Sequence, residues 1–261
     1  MEASLIPHNK LSELKSSLKG DVFADDYTRL LYATDASAYR QIPQLVVKPA
    51  DDEDLKTLIA FARSMKTSQI PRTAGTSLAG QVVGGGIVAD VSKHMTRILE
   101  INATERWVRV QPGVVLDELN KILEPTGLFF GPETSTSNRC MMGGMVGNNS
   151  CGSHSLVYGS TRDHTLEVKA LLSDGSDAVF GQLSRTEFEQ KCALESLEGE
   201  IYRNIKAILG NPANQEEIRN QFPDKSIHRR NTGYAIDLLL ESEPFTNSEE
   251  KFNFCKLIAG S

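Results

Sequence analysis

The alternation of hydrophobic and polar positions predicts a strand, a helix and a second strand in the first part of the chain. The apolar run Leu45–Val47 ends just before Pro49 and is typical of a short buried strand. Asp51, with Asp54 three residues later, is a helix-capping pattern. Apolar residues then recur at spacings of three and four, which predicts an amphipathic helix: Leu55, Leu58, Ile59, Ala62 and Met65. With a strand predicted over Gly86–Val91, these elements indicate a βαβ-like unit.

A similar order of elements is predicted further along the chain. Strands are expected over Ile98–Ile101 and Trp107–Gln111, and apolar spacing over Val115–Leu123 predicts a second amphipathic helix. Thr165–Leu172 and Ala178–Phe180 flank a Ser-Asp-Gly-Ser turn and are typical of a β-hairpin. Two small layered lobes are therefore expected.

The last third of the chain changes in character. Beyond residue 184, three polar, Glu-rich segments have a helical pattern: residues 186–198, 199–210 and 213–222. Leu257–Ala259 is predicted to be a strand entering another glycine turn, so we expect the chain to be a piece of a longer protein. The pattern predicts an α+β fold. We expect an N-terminal arm over residues 1–44 and one domain over residues 45–261, with lobes over about 45–101 and 106–261.

Composition and charge argue against several classes of protein. With 261 residues, 39% hydrophobic and 24% charged, the chain can form a sizeable core. Its net charge of −6 and pI near 5.5 argue against a nucleic-acid partner. No apolar run approaches the roughly 18 residues of a membrane span, and no signal peptide is visible. The four cysteines lack C-x-x-C spacing and the five histidines are scattered, so we expect no metal site and a cytoplasmic location.

Glycine is concentrated in two segments. Ten of the 20 glycines fall within the 32 residues of Arg72–Gly86 and Gly143–Gly159, where an even spread would place about 2.5. Glycine permits positive φ and lets a ligand approach the backbone closely. Amide hydrogens in such segments can bind an anion. A plain surface loop is the alternative, but two such segments in one domain suggest a ligand with an extended, phosphate-bearing part.

The familiar phosphate-binding and nucleophile motifs do not account for these segments. Gly75 and Gly80 have the spacing of a P-loop, but Gln81 and Val82 stand where Lys and Ser or Thr are required. No G-x-G-x-x-G opens a predicted helix, and no G-x-S-x-G of a hydrolase is present. Phosphate binding by backbone amides without a lysine suits the diphosphate of a dinucleotide.

The glycine segments and their neighbours form a set of motifs in a fixed order: RTAGTSLAGQ (Arg72–Gln81), PGV (Pro112–Val114), GPETSTSNRCMMGGMVGNNSCG (Gly131–Gly152), YG (Tyr158–Gly159) and LEVKALLSDG (Leu166–Gly175). They resemble the FAD-linked oxidases of the vanillyl-alcohol oxidase/p-cresol methylhydroxylase type, and most of all the D-lactate, glycolate and D-2-hydroxyacid dehydrogenase branch. The resemblance covers about residues 20–261. It implies a two-lobed FAD-binding domain, without the family's C-terminal cap domain, from an oxidoreductase that transfers hydride from a small 2-hydroxy acid to flavin N5.

The resemblance also implies which residues bind FAD. Those expected at the diphosphate are Ala74, Gly75, Thr76, Ser77, Gly80 and Gln81. Those expected along the nucleotide are Pro132, Glu133 and Thr134. Those expected near the diphosphate, the ribityl chain and the flavin ring are Gly143, Gly144, Asn148, Asn149, Ser150, Cys151, Gly152, Tyr158 and Gly159.

Other implications are less direct. Relatives with covalent flavin often have a histidine where Thr76 stands, so noncovalent FAD is expected. Cys151 is interpreted as a packing residue. Arg229, Arg230 and Tyr234 resemble a segment near the flavin and the substrate entrance. The catalytic residues, the substrate and the electron acceptor are left open. Alternatives are the flavin domain of another oxidase or reductase of this fold, and a binding domain without cofactor.

Overall fold

The chain folds into two compact units of mixed helix and strand. The computed structural model describes residues 6–224, 226–227 and 233–260. Unit 1 comprises the described residues up to Phe130 together with Thr134–Met145. Unit 2 comprises Gly131–Glu133 and the described residues from Val146 onward.

Unit 1 contains a four-stranded sheet, a separate β-hairpin and several helices. Its strands are β1 (Asp21–Phe23), β2 (Leu45–Lys48), β3 (Gln69–Arg72), β4 (Ile87–Asp90), β5 (Ile98–Asn102) and β6 (Trp107–Val110). Its helices are α1 (His8–Ser17), α2 (Asp26–Leu31), α3 (Asp52–Ser64) and α4 (Leu116–Leu123), followed by a 3-10 turn over Glu124–Thr126. The predicted strands and helices between residues 45 and 123 are confirmed, including the Asp51 cap, whose carboxylate accepts from the amide of Asp54.

The four-stranded sheet has the order β1-β2-β4-β3. Strand β4 is parallel to β2 and to β3, whereas β1 is antiparallel to β2. All four residues of β4 are buried, as expected for a central strand with both faces covered. Leu45 and Val47 of β2 pack with Leu58 and Ala62 of α3, which are the inward positions of the predicted amphipathic helix.

The structure divides the chain differently from the predicted arm and lobes. Leu14 and Leu18 are buried in the same core as α3, and β1 extends the sheet, so residues expected to form an arm belong to unit 1. The hairpin β5–β6 and helix α4 also belong to unit 1. Their apolar residues share a second core with Cys140, Met142 and Met145, which explains why this unit does not end near residue 101.

Unit 2 is mainly helical. Helix α5 (Met142–Asn148) runs from unit 1 into it. Its further helices are α6 (Ser155–Tyr158), α7 (Thr161–His164), α8 (Arg185–Cys192), α9 (Leu197–Leu209), α10 (Pro212–Gln221), α11 (Ile236–Leu240) and α12 (Cys255–Ile258). Its strands are β7 (Val168–Leu171), β8 (Asp177–Phe180), β9 (Gln182–Leu183) and β10 (Phe252–Asn253). The predicted hairpin is confirmed as the antiparallel pair β7–β8, and the three Glu-rich segments are confirmed as helical.

An aromatic cluster forms the core of unit 2. Phe188, Tyr202 and Phe252 are fully buried, and the Phe188 and Phe252 ring centroids lie 4.7 Å apart in an edge-on arrangement. Such edge-on contacts are favourable because the ring edge is positive and the ring face negative. This core joins β8, α8, α9 and β10, which are distant in sequence.

One local prediction in unit 2 is wrong. Leu257–Ala259 was expected to be a strand, but α12 covers Cys255–Ile258. The amide of Cys255 donates to the Asn253 side chain (2.9 Å), which starts the helical turn. The second glycine segment is not a plain surface loop, because α5 runs into it and α6 lies within it. Met142 and Met145 lie three residues apart on α5 and are both buried, so packing offsets the low helix propensity of glycine.

No helix among the described residues has both the length and the apolar character required to cross a bilayer.

Candidate functional site

The first glycine segment is the connection between β3 and β4 in unit 1. Gly75 has φ +67° and Gly80 has φ +75°, the left-handed region that favours glycine. The Gly75 carbonyl accepts from the amide of Ala36 (3.2 Å), and the Gly80 carbonyl accepts from the amide of Val83 (3.1 Å). The first bond ties the start of the predicted diphosphate loop to Ala36, and the second closes a turn at Gly80.

The side chains of this loop form a small polar surface. The hydroxyl of Ser77 donates to the side-chain oxygen of Gln81, so two of the predicted ligand residues are paired with each other. Ala74 and Thr76 are partly exposed, and Gln81 is exposed. The loop therefore presents backbone and short polar groups, together with the exposed side chain of Leu78.

The second glycine segment meets the first within unit 1. The amide of Gly143 donates to the carbonyl of Pro112 (2.8 Å), which docks the start of α5 on the Pro112-Gly113 turn. At Gly144, an added Cβ would lie only 2.4 Å from Oγ1 of Thr73, the residue that begins the first loop. The absence of a side chain at Gly144 is thus what lets α5 approach this loop.

Thr134 also belongs to unit 1 and anchors the approach to α5. Its hydroxyl donates to the sulfur of Cys140 (3.3 Å) and lies 3.2 Å from the hydroxyl of Thr136. The thiol of Cys140 points at the sulfur of Met145 (3.6 Å). Burial raises the pKa of the Cys140 thiol, so it remains protonated and serves in packing.

In unit 2, Asn149 occupies the turn at the end of α5. It has φ +45°, a conformation that asparagine tolerates better than most residues, and its side chain is only 5% exposed. Its side-chain oxygen accepts from the amide of Arg162 (2.8 Å). Its Nδ2 atom is buried and has no hydrogen-bond partner among the described residues. A buried donor without an acceptor is costly, which favours an external acceptor at this position.

Arg162 ties the Asn149 turn to the last described residues of the chain. It is 2% exposed, and its Nε and Nη2 both donate to the carbonyl of Ala259, at 3.0 and 2.7 Å. The amide of Gly260 donates to the carbonyl of Val146 (3.0 Å). An added Cβ at Gly260, where φ is +82°, would lie 2.7 Å from Cβ of Asn149. The two segments are therefore packed at backbone distance.

The polar residues that follow Asn149 are held by local bonds. The side chain of Asn148 donates to the hydroxyl of Ser150 (3.1 Å), and the Ser150 carbonyl accepts from the hydroxyl of Thr161 (2.7 Å). The amide of Gly152 donates to the hydroxyl of Ser155 (2.8 Å). Cys151 is partly exposed.

Glu133 and Tyr158 lie together at α6. Nδ1 of His154 is 2.8 Å from a carboxylate oxygen of Glu133, and the rings of His154 and Tyr158 meet edge-on with centroids 6.3 Å apart. An added Cβ at Gly131 would lie 2.7 Å from Cβ of Tyr158, so the buried Gly131-Pro132 backbone runs along α6. The helix ends at Gly159, which has φ +79°.

The predicted site residues are shared between the units. Unit 1 contains Ala74, Gly75, Thr76, Ser77, Gly80, Gln81, Thr134, Gly143 and Gly144. Unit 2 contains Pro132, Glu133, Asn148, Asn149, Ser150, Cys151, Gly152, Tyr158 and Gly159. Within each unit, these residues make the contacts described above. That Thr76 and Asn149 bind the same ligand stays a prediction. Arg229 and Arg230 lie outside the described residues, and Tyr234 is exposed with φ +47°.

Among the residues in these contacts, Thr73 and Arg162 were not predicted as site residues. Thr73 belongs to the RTAGTSLAGQ motif, so its position in the motif was the available signal. Arg162 has no such signal, because its role depends on a carbonyl 97 residues away in sequence.

Within unit 1, the contacts fit the diphosphate of a dinucleotide, because the loop after β3 is built on positive-φ glycines and α5 approaches it through a position that a Cβ would fill. Within unit 2, the side-chain Nδ2 of Asn149 is a buried donor without a partner among the described residues. Flexible glycine backbones of this kind form anion-binding concavities. Among the described residues, no group of three or more His, Cys, Asp or Glu side chains is placed to hold a metal ion.

Comparison with known sequences identifies the family. Residues 43–178, just over half of the chain, match the family described as the FAD binding domain. The chain is 40% identical to the D-2-hydroxyglutarate dehydrogenase of Pseudomonas putida over 249 residues, which is 94% of this chain and 24% of that protein. It is 33% identical to the glycolate oxidase subunit GlcD of Bacillus subtilis over 56% of this chain and 32% of that protein. The chain thus spans about a quarter to a third of the length of these relatives.

Solved structures agree on the fold. A structure of p-cresol methylhydroxylase with substrate bound matches 68% of this chain and 36% of its own, with a TM-score of 0.59 and 14% identity. An alkyldihydroxyacetonephosphate synthase matches 68% of this chain and 35% of its own, also with a TM-score of 0.59, at 20% identity. The chain therefore belongs to the FAD-binding domain family and has the fold of the p-cresol methylhydroxylase type of flavoprotein.

Proposed function

We propose that this chain binds FAD noncovalently and is the flavin domain of a dehydrogenase that oxidises a small 2-hydroxy acid. The observation that supports this most is the 40% identity to a D-2-hydroxyglutarate dehydrogenase, which extends over 94% of the chain. That span includes both glycine segments and the Asn149 turn. A glycolate oxidase subunit among the relatives supports the same class of substrate.

The residues of unit 1 would hold the diphosphate. Gly75 carries no side chain of its own that would shield the following amide of Thr76, and the hydroxyl of Ser77 would turn from Gln81 to the diphosphate. Gly80 and Gln81 would close this loop. Gly143 and Gly144 would bring the first turn of α5 close to the same group, because neither carries a side chain that would block it.

The residues of unit 2 would bind and orient the remaining parts. Pro132 and Glu133, with Thr134 of unit 1, would lie along the nucleotide. The Asn148–Gly152 turn, with Tyr158 and Gly159, would lie beside the ribityl chain and the ring. The unpaired Nδ2 of Asn149 would donate to one of the oxygens of the cofactor. The chemistry that FAD supplies when bound is acceptance at N5 of a hydride from the α-carbon of the hydroxy acid.

The threonine at position 76 supports the proposal of noncovalent binding. A threonine hydroxyl does not form the bond that a histidine nitrogen forms with flavin in covalent relatives. Precipitation of the loaded protein with acid should therefore release all the yellow colour to the supernatant. Colour that remains with the precipitate would contradict noncovalent attachment without contradicting FAD binding.

FAD binding is tested by titration of the purified chain and measurement of flavin fluorescence. We expect saturable binding that is weakened by Gly75→Ala, because the new Cβ would lie 2.4 Å from the Arg72 side chain at a φ of +67°. Gly175→Ala is the matched control: it has the same kind of backbone strain, φ +88°, with open space around it. No binding by the unmodified chain would refute the proposal. An equal loss of FAD affinity in Gly75→Ala and Gly175→Ala would refute the assignment of the loop after β3 to FAD.

The substrate class needs a separate test on the native protein that contains this chain. Anaerobic addition of glycolate, D-lactate or D-2-hydroxyglutarate should bleach the visible absorption of bound flavin. Acetate, propionate and glutarate, which lack the hydroxyl group, are the controls and should leave it unchanged. Bleaching by none of the three hydroxy acids would refute the substrate class and leave FAD binding standing.

A further inference from the structure

We propose that Arg72 is the cation of the first glycine segment and attracts the diphosphate that the loop binds. This inference rests on the proposed function. P-loops place a lysine among their glycines for this purpose, whereas the loop Thr73–Gly86 contains no lysine or arginine. The protein as a whole has a net charge of −6, so a bound diphosphate meets a repulsive background. A local positive charge next to the loop would offset it.

The guanidinium of Arg72 is held in one place by three contacts. Its Nη1 donates to the carbonyl of Thr34 at 2.9 Å and to the carbonyl of Tyr32 at 3.4 Å. Its Cζ lies 5.1 Å from the centroid of the Tyr32 ring, within the range of a cation–π contact. A planar guanidinium gripped on its edge and its face is pre-organised.

The ring that supports Arg72 is itself fixed. The hydroxyl of Tyr32 donates to a carboxylate oxygen of Asp90 at 2.5 Å. The other carboxylate oxygen of Asp90 accepts from the amide of Ser92 at 2.8 Å, and Asp90 is only 4% exposed. Both carboxylate oxygens of Asp90 thus accept hydrogen bonds, one from Tyr32 and one from Ser92. Asp90 does not form an ion pair with Arg72.

No ion pair fixes the guanidinium of Arg72. Within the described residues its hydrogen-bond acceptors are two backbone carbonyls. Asp90 is its register partner on β4, but the Asp90 carboxylate accepts from Tyr32 and Ser92 instead. The guanidinium is therefore held in position without a direct carboxylate partner that an anion would have to displace.

Gly75 brings this charge against the loop. An added Cβ at Gly75 would lie 2.4 Å from Nη2, 2.9 Å from Cζ and 3.1 Å from Nε of Arg72. The guanidinium thus packs on the Cα of the turn whose amides are assigned to the diphosphate. A side chain at position 75 would separate the two, so the glycine serves charge placement as well as backbone conformation.

The test compares ligands with and without phosphate. FAD, ADP and riboflavin are titrated against the unmodified chain, Arg72→Gln, Arg72→Lys and Lys48→Gln. Lys48 of β2 is the matched control, because its ammonium is also positively charged and lies 5.7 Å from the centroid of the same Tyr32 ring. Thermal unfolding of every variant shows whether it is folded.

We expect Arg72→Gln to weaken FAD and ADP about tenfold, or about 1.4 kcal/mol, and to leave riboflavin affinity unchanged. Arg72→Lys should recover part of the loss, and Lys48→Gln should bind all three ligands as the unmodified chain does. The affinity of the unmodified chain for FAD relative to riboflavin should also fall as salt rises, because salt screens the charge.

Three results would overturn the inference. They are unchanged FAD affinity in a folded Arg72→Gln variant, an equal loss for riboflavin, and an FAD-to-riboflavin ratio that does not depend on salt. The last measurement uses the unmodified chain and stands even if Arg72→Gln fails to fold. Absence of FAD binding by the unmodified chain would instead refute the proposed function, and this inference with it.

Discussion

Replacing Gly144 with alanine should disturb the contact that joins the two glycine segments of unit 1. The new Cβ would lie 2.4 Å from Oγ1 of Thr73, about 1 Å closer than an ordinary carbon–oxygen contact. The Thr73 side chain is branched, so one rotation about χ1 replaces the hydroxyl by a methyl group, and only the rotamer that turns the Cβ hydrogen toward Gly144 clears the space. The clash is therefore relieved by that rotamer change or by a shift of α5 or of the loop after β3.

The magnitude of this clash can be isolated with a second glycine of the same helix. Gly147 has nothing within 4 Å of an added Cβ. Both substitutions gain up to about 1 kcal/mol of helix propensity, but only Gly144→Ala incurs an overpacking cost of about 1–3 kcal/mol. The difference in unfolding free energy between the two variants should therefore be about 1–3 kcal/mol, with Gly147→Ala the more stable.

Urea unfolding of the two variants, followed by circular dichroism, measures that difference. Thr73→Ala removes the clashing hydroxyl, so adding Gly144→Ala to it should cost little, and the double-mutant cycle should show a coupling of similar size. FAD titration of the same proteins should show weaker binding for Gly144→Ala alone. Equal unfolding midpoints for Gly144→Ala and Gly147→Ala would refute the contact as described.

Three further predictions concern buried polar groups and are tested by urea unfolding. Asn149→Ala should destabilise the protein by about 1–3 kcal/mol, because it removes the side-chain oxygen that accepts from the Arg162 amide. Asn149→Gly should destabilise it less, because glycine tolerates the φ of +45°. Equal losses of stability in the two variants would contradict the role of this backbone conformation. Tyr202→Phe should leave the unfolding midpoint unchanged or raise it, because the buried Tyr202 hydroxyl has no hydrogen-bond partner among the described residues. Tyr32→Phe should instead lower the unfolding free energy by about 1–2 kcal/mol, because it breaks the hydrogen bond to Asp90. A larger loss of stability for Tyr202→Phe than for Tyr32→Phe would show that the Tyr202 hydroxyl is hydrogen-bonded. Burial raises the pKa of the Cys255 thiol from 9.0 to about 12, so its contribution to stability is complete below the unfolded pKa of 9.0 and is lost as pH rises toward 12. Between those values the unfolding midpoint should fall more steeply for the unmodified chain than for Cys255→Ser, which keeps a donor for the Phe180 carbonyl but does not titrate; parallel slopes would remove Cys255 from the explanation.

Local sequence signals predicted much of the fold. The capped helix α3, the buried strands β2 and β4 and the hairpin β7–β8 each depend on residues close together in the chain. For example, Asp51 reaches the amide of Asp54 only three residues away. Such signals need no knowledge of the rest of the molecule, and they were sufficient.

Elements decided by distant contacts were not predicted. Strand β1 pairs with β2 through Val22 and Val47, 25 residues apart, and nothing in the short Asp21–Phe23 sequence distinguishes it from a loop. The apolar run Leu257–Ala259 was interpreted as a strand from the local pattern alone. Tertiary packing in the core of unit 2 instead selects a helical turn there.

The candidate site shows the same division. Glycine clustering indicated the loop after β3, because a positive φ at Gly75 and Gly80 is what such residues allow. The sequence could not show that Arg72 packs beneath Gly75, that Gly144 faces Thr73, or that Arg162 is buried against the carbonyl of Ala259. Each of these depends on where a side chain points after folding.

The order of the strands has a consequence for how loop variants should be interpreted. Strands β3 and β4 are parallel neighbours. The chain therefore leaves β3 at its C-terminal end and must return to the opposite end of the strands to enter β4. A helix usually makes such a return, but here Thr73–Gly86 makes it alone, over a strand length of about 13 Å. Because β4 also lies between β2 and β3, this loop delivers the central strand to its place. Deletions within this loop would then prevent β4 from reaching its place between β2 and β3. A deletion variant without activity would show failed folding of the sheet and not the loss of a ligand contact.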